Sequence, residues 1–227
     1  MQENLSFKAE VNLYYDLLVP ENAAQPAPLL IVTHGYGENK RWTMRIAQEM
    51  APEGFAIASL QGLYQQIQPP KEEGGPLKFG FGWLTNFRPE ESIALHHKFV
   101  LDVIEKLISD GVADKSKIFL LGFSQTCALD YRFALTHRDV LAGIFGLCGG
   151  IPGDLETNEL FAPFNTPAFY LYGDTDKYVL AEEFEEKAEG LRKFVPNLIA
   201  KRYVAGHEIV REMRADIKFW LTELAAR

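Results

Sequence analysis

The run SKIFLLGFSQTCALDYRFALTH, residues 116–137, sets Ser124 between an apolar segment and a helical one, with a glycine two residues before it. A serine hydroxyl is a weak nucleophile at neutral pH, so it needs a base to take its proton and a third group to fix the base's tautomer. The usual nucleophile turn of this kind also carries glycine two residues after the serine, a place held here by Thr126. The chemistry therefore depends on whether the rest of the chain supplies partners.

Of the five histidines, His207 is the candidate base, because AGHEI places it in a glycine-containing loop after a strand and before a helix. His34 precedes a glycine turn and is expected to shape it. His96 and His97 are adjacent within a helix, a spacing that suits neither a shared face nor a metal, and His137 lies at a helix end. For the acid, YLYGDTDKYV offers Asp174 and Asp176, and the spacing does not choose between them. Either one gives the chain order Ser, Asp, His, the order this turn carries on a doubly wound sheet.

Negative charge developing on a carbonyl oxygen needs two backbone N–H donors. One is expected from Gln125, directly after the serine, and the other from Tyr36 in the glycine-rich turn HGYGEN.

These residues need a frame that brings strand ends together. Apolar runs at 28–34, 55–60, 117–123, 141–149, 167–173 and 197–206 read as strands, the first five apolar nearly throughout, as strands covered on both faces should be. Helical periods occupy 40–51, 89–109, 125–137, 180–194 and 209–223. The alternation predicts one α/β domain over residues 1–227, with a mostly parallel, doubly wound sheet and helices on both faces. The helix from Pro89 should turn Ile93, His97, Val100 and Ile104 inward. Residues 5–20 alternate as an antiparallel edge strand or hairpin would. Residues 61–88, with five glycines and three prolines, read as a long functional loop whose Tyr64, Phe81 and Trp83, alongside Phe79 and Phe87, either line a substrate pocket or cover the sheet edge. Only 17 residues separate Gly149 from Pro167, too few for a cap domain over the site.

Composition narrows the function classes. A formal charge of −8 and a pI near 5.2 argue against binding a phosphate backbone, so no nucleic-acid partner is expected. No apolar run approaches the roughly 20 residues that cross a bilayer, and MQENLSFKAE lacks the basic start and apolar core of a secretory signal, so the expected place is the cytoplasm without membrane insertion. Cys127 and Cys148 make no disulfide framework, and no Cys/His spacing suggests zinc. Monomer and homodimer are equally compatible with the sequence.

Taken together, HGYGEN, GFSQ, GDTDKYV and GHEI, with FGFGWLTN and CGGIPGD, resemble in order the α/β-hydrolases of the phospholipase/carboxylesterase family, which includes acyl-protein thioesterases. The resemblance implies Ser124 as nucleophile, His207 as base, Asp176 rather than Asp174 as acid, Tyr36 and Gln125 as oxyanion donors, and hydrolysis of a small-molecule ester or thioester without metal or cofactor. It points to a carboxylesterase, and the connection too short for a cap favours short- to medium-chain acyl esters, with a thioesterase or lysophospholipase as the alternative. The aromatic residue after HG and the threonine at 126 depart from the pattern. Thr126 is expected to bond back to the Gly122 carbonyl and to be replaceable by glycine with little loss of activity.

Two readings from other classes compete. THGYGENK is also a Gly-x-Gly turn of the dinucleotide kind, but it lacks the third glycine and the acid that holds a ribose. A non-catalytic binding module on the same fold is the second, opposed by the complete set of chemical groups.

Overall fold

The structure, a computed structural model, describes residues 1, 3–21, 23–68, 70, 72 and 74–227. Its main sheet takes β1 (Tyr15–Leu18), β2 (Ala27–Thr33), β3 (Ala56–Leu60), β6 (Ala113–Phe123), β7 (Gly143–Leu147), β8 (Ala168–Gly173) and β9 (Leu198–Tyr203), while β4 (Tyr64–Gln68) and β5 (Lys78–Gly82) pair separately. The spatial order is β1-β3-β2-β6-β7-β8-β9, with β1 antiparallel to β3 and every other pairing parallel. Helices α1 (Lys40–Met50), α2 (Pro89–Ser109), α3 (Gln125–Thr136), α4 (Ala181–Arg192) and α5 (Arg211–Ala225) form the outer layers.

The central strands are apolar on both faces because each face meets helices. Leu30, Val32, Leu121, Phe145 and Leu171 pack with Met50 of α1 and Met213, Ile217 and Leu221 of α5. The alternate residues Leu29, Ile31, Leu120, Ile144 and Tyr170 pack with Phe99 and Val103 of α2, Leu129 of α3 and Phe184 of α4. Burying a Leu or Phe side chain contributes about 2 kcal/mol, so this double core fixes the register of the parallel strands.

Chain punctuation sets the helix starts. The Asn39 side chain accepts from the N–H groups of Arg41 and Trp42 at the head of α1, and Pro89 opens α2 with Glu90 and Glu91 in its first turn. Chain reversal falls between β2 and β6, where α1 returns on one face and α3 on the other, so the carboxyl ends of the strands open a crevice there.

Three details differ from the sequence reading. Residues 61–88 contain the β4–β5 hairpin, with Ile67 opposite Phe79 and a bridge from Phe81 to Glu38, because the aromatic and β-compatible residues find a partner strand within the segment itself. Helix α2 turns Ser92, His96, Phe99 and Val103 inward beside Val100 and Ile104, leaving Ile93 and His97 half-buried. Its inner face is rotated because the polar pair Ser92 and His96 finds buried partners that hydrophobicity alone does not register. The opening segment does form an antiparallel edge strand, but over only the four residues of β1. Residues 150–166, between β7 and β8, carry no helix, so no cap lies in that connection.

Candidate active site

Strand β6 ends at Phe123 and α3 begins at Gln125, leaving Ser124 alone on the turn with φ 56° and ψ −111°. A positive φ at a non-glycine residue costs about 1–3 kcal/mol and persists only where neighbours enforce it. Here the Ser124 N–H donates to the Leu147 carbonyl at 2.8 Å, and its own carbonyl accepts from Cys127 N–H at 3.2 Å. Gly149 fits against that carbonyl only because it has no Cβ, which would fall 2.2 Å away. The strained turn lifts the hydroxyl out of the sheet toward the crevice.

Ser124 Oγ lies 2.8 Å from His207 Nε2, and His207 Nδ1 lies 2.8 Å from Asp176 Oδ2. Since a carboxylate accepts, Nδ1–H donates to Asp176 and Nε2 is left to accept from the serine; the tautomer follows from these partners. The Asp176 side chain is fully buried, and its other oxygen accepts from the N–H groups of Tyr178 at 2.8 Å and Val179 at 3.3 Å. The imidazole packs between the rings of Phe123 and Tyr178, with centroids 5.0 and 4.6 Å away. Asp174 is exposed and does not reach the histidine; its Oδ1 accepts from Ala205 N–H.

The HGYGEN turn lies beside the same crevice. Within it Gly35 N–H donates to Glu38 Oε2 at 2.9 Å, Gly37 N–H to the Phe81 carbonyl at 2.8 Å and Glu38 N–H to the Gly35 carbonyl at 3.2 Å. Among the described residues Tyr36 N–H has no partner, and Gln125 N–H, at the first position of α3, belongs to the four amides that a helix leaves open. Tyr36 itself is 57% exposed, with its hydroxyl donating to Gln66 Oε1. The two sequence-predicted donors are therefore free amides, one in the turn that follows β2 and one directly after the serine.

The turn is held from below by groups the sequence reading had only partly identified. His34 is fully buried; its Nδ1–H donates to the Gly35 carbonyl at 2.8 Å while Nε2 accepts from Gly62 N–H at 2.9 Å and from the Gln61 amide at 3.0 Å. Burial pushes its pKa down to about 4, so it is a neutral strut. Trp83 is 4% exposed, and its indole N–H donates to the His34 carbonyl at 2.9 Å. It packs beneath the turn because a large ring with one donor finds both an apolar bed and an acceptor there. Tyr64 and Phe81 are half-buried, with the Tyr64 hydroxyl accepting from Ser92 Oγ at 3.0 Å and the Phe81 backbone pinned to Gly37 and Glu38. Thus, of the expected pocket residues, Trp83 supports the turn, Phe81 and Tyr64 are half-buried, and Phe79 and Phe87 are exposed.

Glu38 was not anticipated. Burial pushes its carboxyl up to about 7, against the bond from Gly35 N–H, which favours the charged form. Nor were His96 and Asp130, buried side by side with Nε2 3.1 Å from Oδ1 beneath the serine turn. The Asp130 pKa is raised, burial outweighing the bonds from His96 and Thr33. Cys127 and Cys148 are free and buried, and burial pushes the Cys148 thiol up to about 12, far from a reactive thiolate.

The phospholipase/carboxylesterase family pattern matches residues 16–224. The chain belongs to this family. NocK of Nocardia uniformis subsp. tsuyamanensis, an inferred esterase, is 26% identical over 154 residues, which is 66% of this chain and 40% of that relative. The chain therefore spans about two fifths of that protein's length. Among solved structures, esterase PE8 superposes with a TM-score of 0.71 at 20% identity, covering 94% of this chain and 100% of that one. Acyl-protein thioesterase 2 of Zea mays gives a TM-score of 0.69 at 16% identity, covering 93% of this chain and 99% of that one. At such identities the superpositions speak for the fold alone, the α/β-hydrolase fold, and the family the chain belongs to is one of phospholipases and carboxylesterases.

Proposed function

We propose that this phospholipase/carboxylesterase family member is a serine carboxylesterase that works by two-step acyl transfer as a single domain. The observation that carries the reading is the unbroken chain Ser124 Oγ, His207 Nε2, His207 Nδ1, Asp176 Oδ2, with both links at 2.8 Å. His207, oriented by Asp176, takes the Ser124 proton as the hydroxyl attacks the ester carbonyl. The amides of Tyr36 and Gln125 hold the oxyanion, His207 protonates the leaving alcohol, and water repeats the sequence to free the acid.

Substrates are short- to medium-chain acyl esters. Supporting this are the helix-free 150–166 connection, and the exposure of Tyr36 and Tyr178 beside the serine, which fit a shallow, reachable site rather than a deep tunnel. Partly open rings of Phe81 and Tyr64 offer apolar contact for the acyl group. Among the described residues no helix is long and apolar enough to cross a membrane, and two unpaired buried cysteines suit the reducing cytoplasm. Ser124→Ala should lower kcat on p-nitrophenyl butyrate by at least about 10³-fold while circular dichroism stays unchanged. Parent-like turnover by that variant would overturn the assignment. Equal kcat/KM on matched thioesters would move the substrate class without touching the triad.

A further inference from the structure

Thr126 stands where the usual serine turn has glycine, yet it is fully buried rather than squeezed out. Its hydroxyl does not turn back to Gly122. Oγ1 lies 3.1 Å from the Thr33 carbonyl and 3.1 Å from the Phe123 carbonyl. Thr33 is the last residue of β2, from which the HGYGEN turn departs, and Phe123 is the last residue of β6, from which Ser124 departs.

The position matters because the backbone ladder between these strands stops there. Thr33 pairs with Gly122, and Phe123 has no partner on β2. Beyond that rung the chain carrying one oxyanion amide and the chain carrying the nucleophile with the other amide separate. A hydroxyl placed equally between the two terminal carbonyls acts as one further rung, with a single proton shared between two acceptors. Its near neighbours keep it in place: Thr33 Oγ1 donates to the buried Asp130 at 2.8 Å, one turn further along α3. A longer route runs in parallel, from Gln125 Oε1 to Trp83 N–H at 2.9 Å and from the Trp83 indole to the His34 carbonyl.

We infer that Thr126 is a positioning residue, its hydroxyl fixing the separation of the Tyr36 and Gln125 amides across the serine in place of the tolerance that glycine gives elsewhere. This rests on the acyl-transfer reading above, in which those amides hold the oxyanion. A tie of this kind acts on the transition state and not on substrate binding, so its loss appears in kcat rather than KM.

The test compares Thr126→Ala, Thr126→Ser and Thr126→Gly in the full chain, with p-nitrophenyl butyrate as substrate and thermal melting alongside. Alanine and serine differ there by one oxygen. Alanine should lower kcat about 10- to 100-fold with KM within about threefold, as a displacement near 1 Å would. Serine should stay within about threefold of the parent, and glycine, expected from sequence alone to be silent, should fall with alanine. Should the alanine protein not fold, the glycine protein, which removes the side chain without adding bulk, carries the comparison. Parent-like kcat in the alanine or glycine variant, or a serine variant that falls with them, overturns the inference. Ser124→Ala run in parallel separates the two levels: inactive Ser124→Ala beside silent Thr126→Ala sinks only the tie, whereas active Ser124→Ala sinks the acyl-transfer reading as well.

Discussion

The Asp174 carboxylate accepts a hydrogen bond from Ala205 N–H at 3.2 Å, which ties the turn carrying Asp176 to the loop carrying His207. Two aspartates of one turn thus divide the work: the buried one meets the histidine, and the exposed one holds the two loops together. Thr175 adds to the seam, its N–H and its hydroxyl both donating to the Ala205 carbonyl, at 2.9 and 2.8 Å.

That division gives the first expectation. Asp176→Asn keeps the shape but offers His207 a donor where it needs an acceptor, so kcat should drop by about 10³-fold or more. Asp174→Asn should cost less than about tenfold, since an amide oxygen can still accept from Ala205. Steady-state kinetics on one ester decide it, and equal losses would contradict the assignment.

Gly149 and Gly150 are adjacent, yet they should respond oppositely to alanine. A Cβ on Gly149 would lie 2.2 Å from the Ser124 carbonyl and 2.4 Å from Cys127 Cβ, whereas a Cβ on Gly150 meets nothing within 4 Å. Gly149→Ala should therefore cost about 1–3 kcal/mol in urea unfolding and reduce kcat by shifting the serine turn. Gly150→Ala should leave both near the parent.

Acid should destabilise the fold through His97. Burial, with the charges of His96, His137 and Arg132 adding to it, pushes its pKa from the ordinary 6.5 down to about 3. A depressed histidine contributes stability that is complete above 6.5 and is lost as pH falls from there toward 3, by up to about 1.4 kcal/mol per pH unit. His34, depressed to about 4, adds in the same direction. His97→Phe suits the neighbouring Phe133 and His137 rings, 5.5 and 5.4 Å away by centroid, and should move the acid-unfolding midpoint down by about half a pH unit or more. An unmoved midpoint would show that His97 takes no part.

Glu38 works with the opposite sign. Raised from 4.5 to about 7, it contributes stability that is complete below 4.5 and is lost as pH rises through 7, by at most about 3 kcal/mol. Glu38→Gln preserves the acceptor for Gly35 N–H and should melt higher than the parent at pH 8, with the difference vanishing near pH 4. Melting curves across that range report the sign directly.

Much of this molecule was legible along the chain. The central strands and the helices α1 to α5 were readable because apolar runs, Pro89 and the glycine turns are local signals. Ser124 and His207 were legible for the same reason: each follows a strand, and a parallel sheet gathers the carboxyl ends of its strands. The residues by themselves could not rank Asp176 over Asp174, because the two differ in what surrounds them rather than in type or position. The inward face of α2 was misread because His96 owes its burial to Asp130, 34 positions away, and hydrophobic period does not register a polar pair.

What tertiary structure alone decided is how the parts are held. Sequence rules for a threonine in a first helical turn look four residues back, to Gly122. The nearest acceptors in space are Phe123 and, 93 residues away, Thr33. Local sequence determines which backbone conformations are cheap, and so it places the serine, the histidine and the strands. Hydrogen-bond partners are chosen by proximity after the sheet has formed, and that proximity exists only once parallel strands distant in sequence lie side by side.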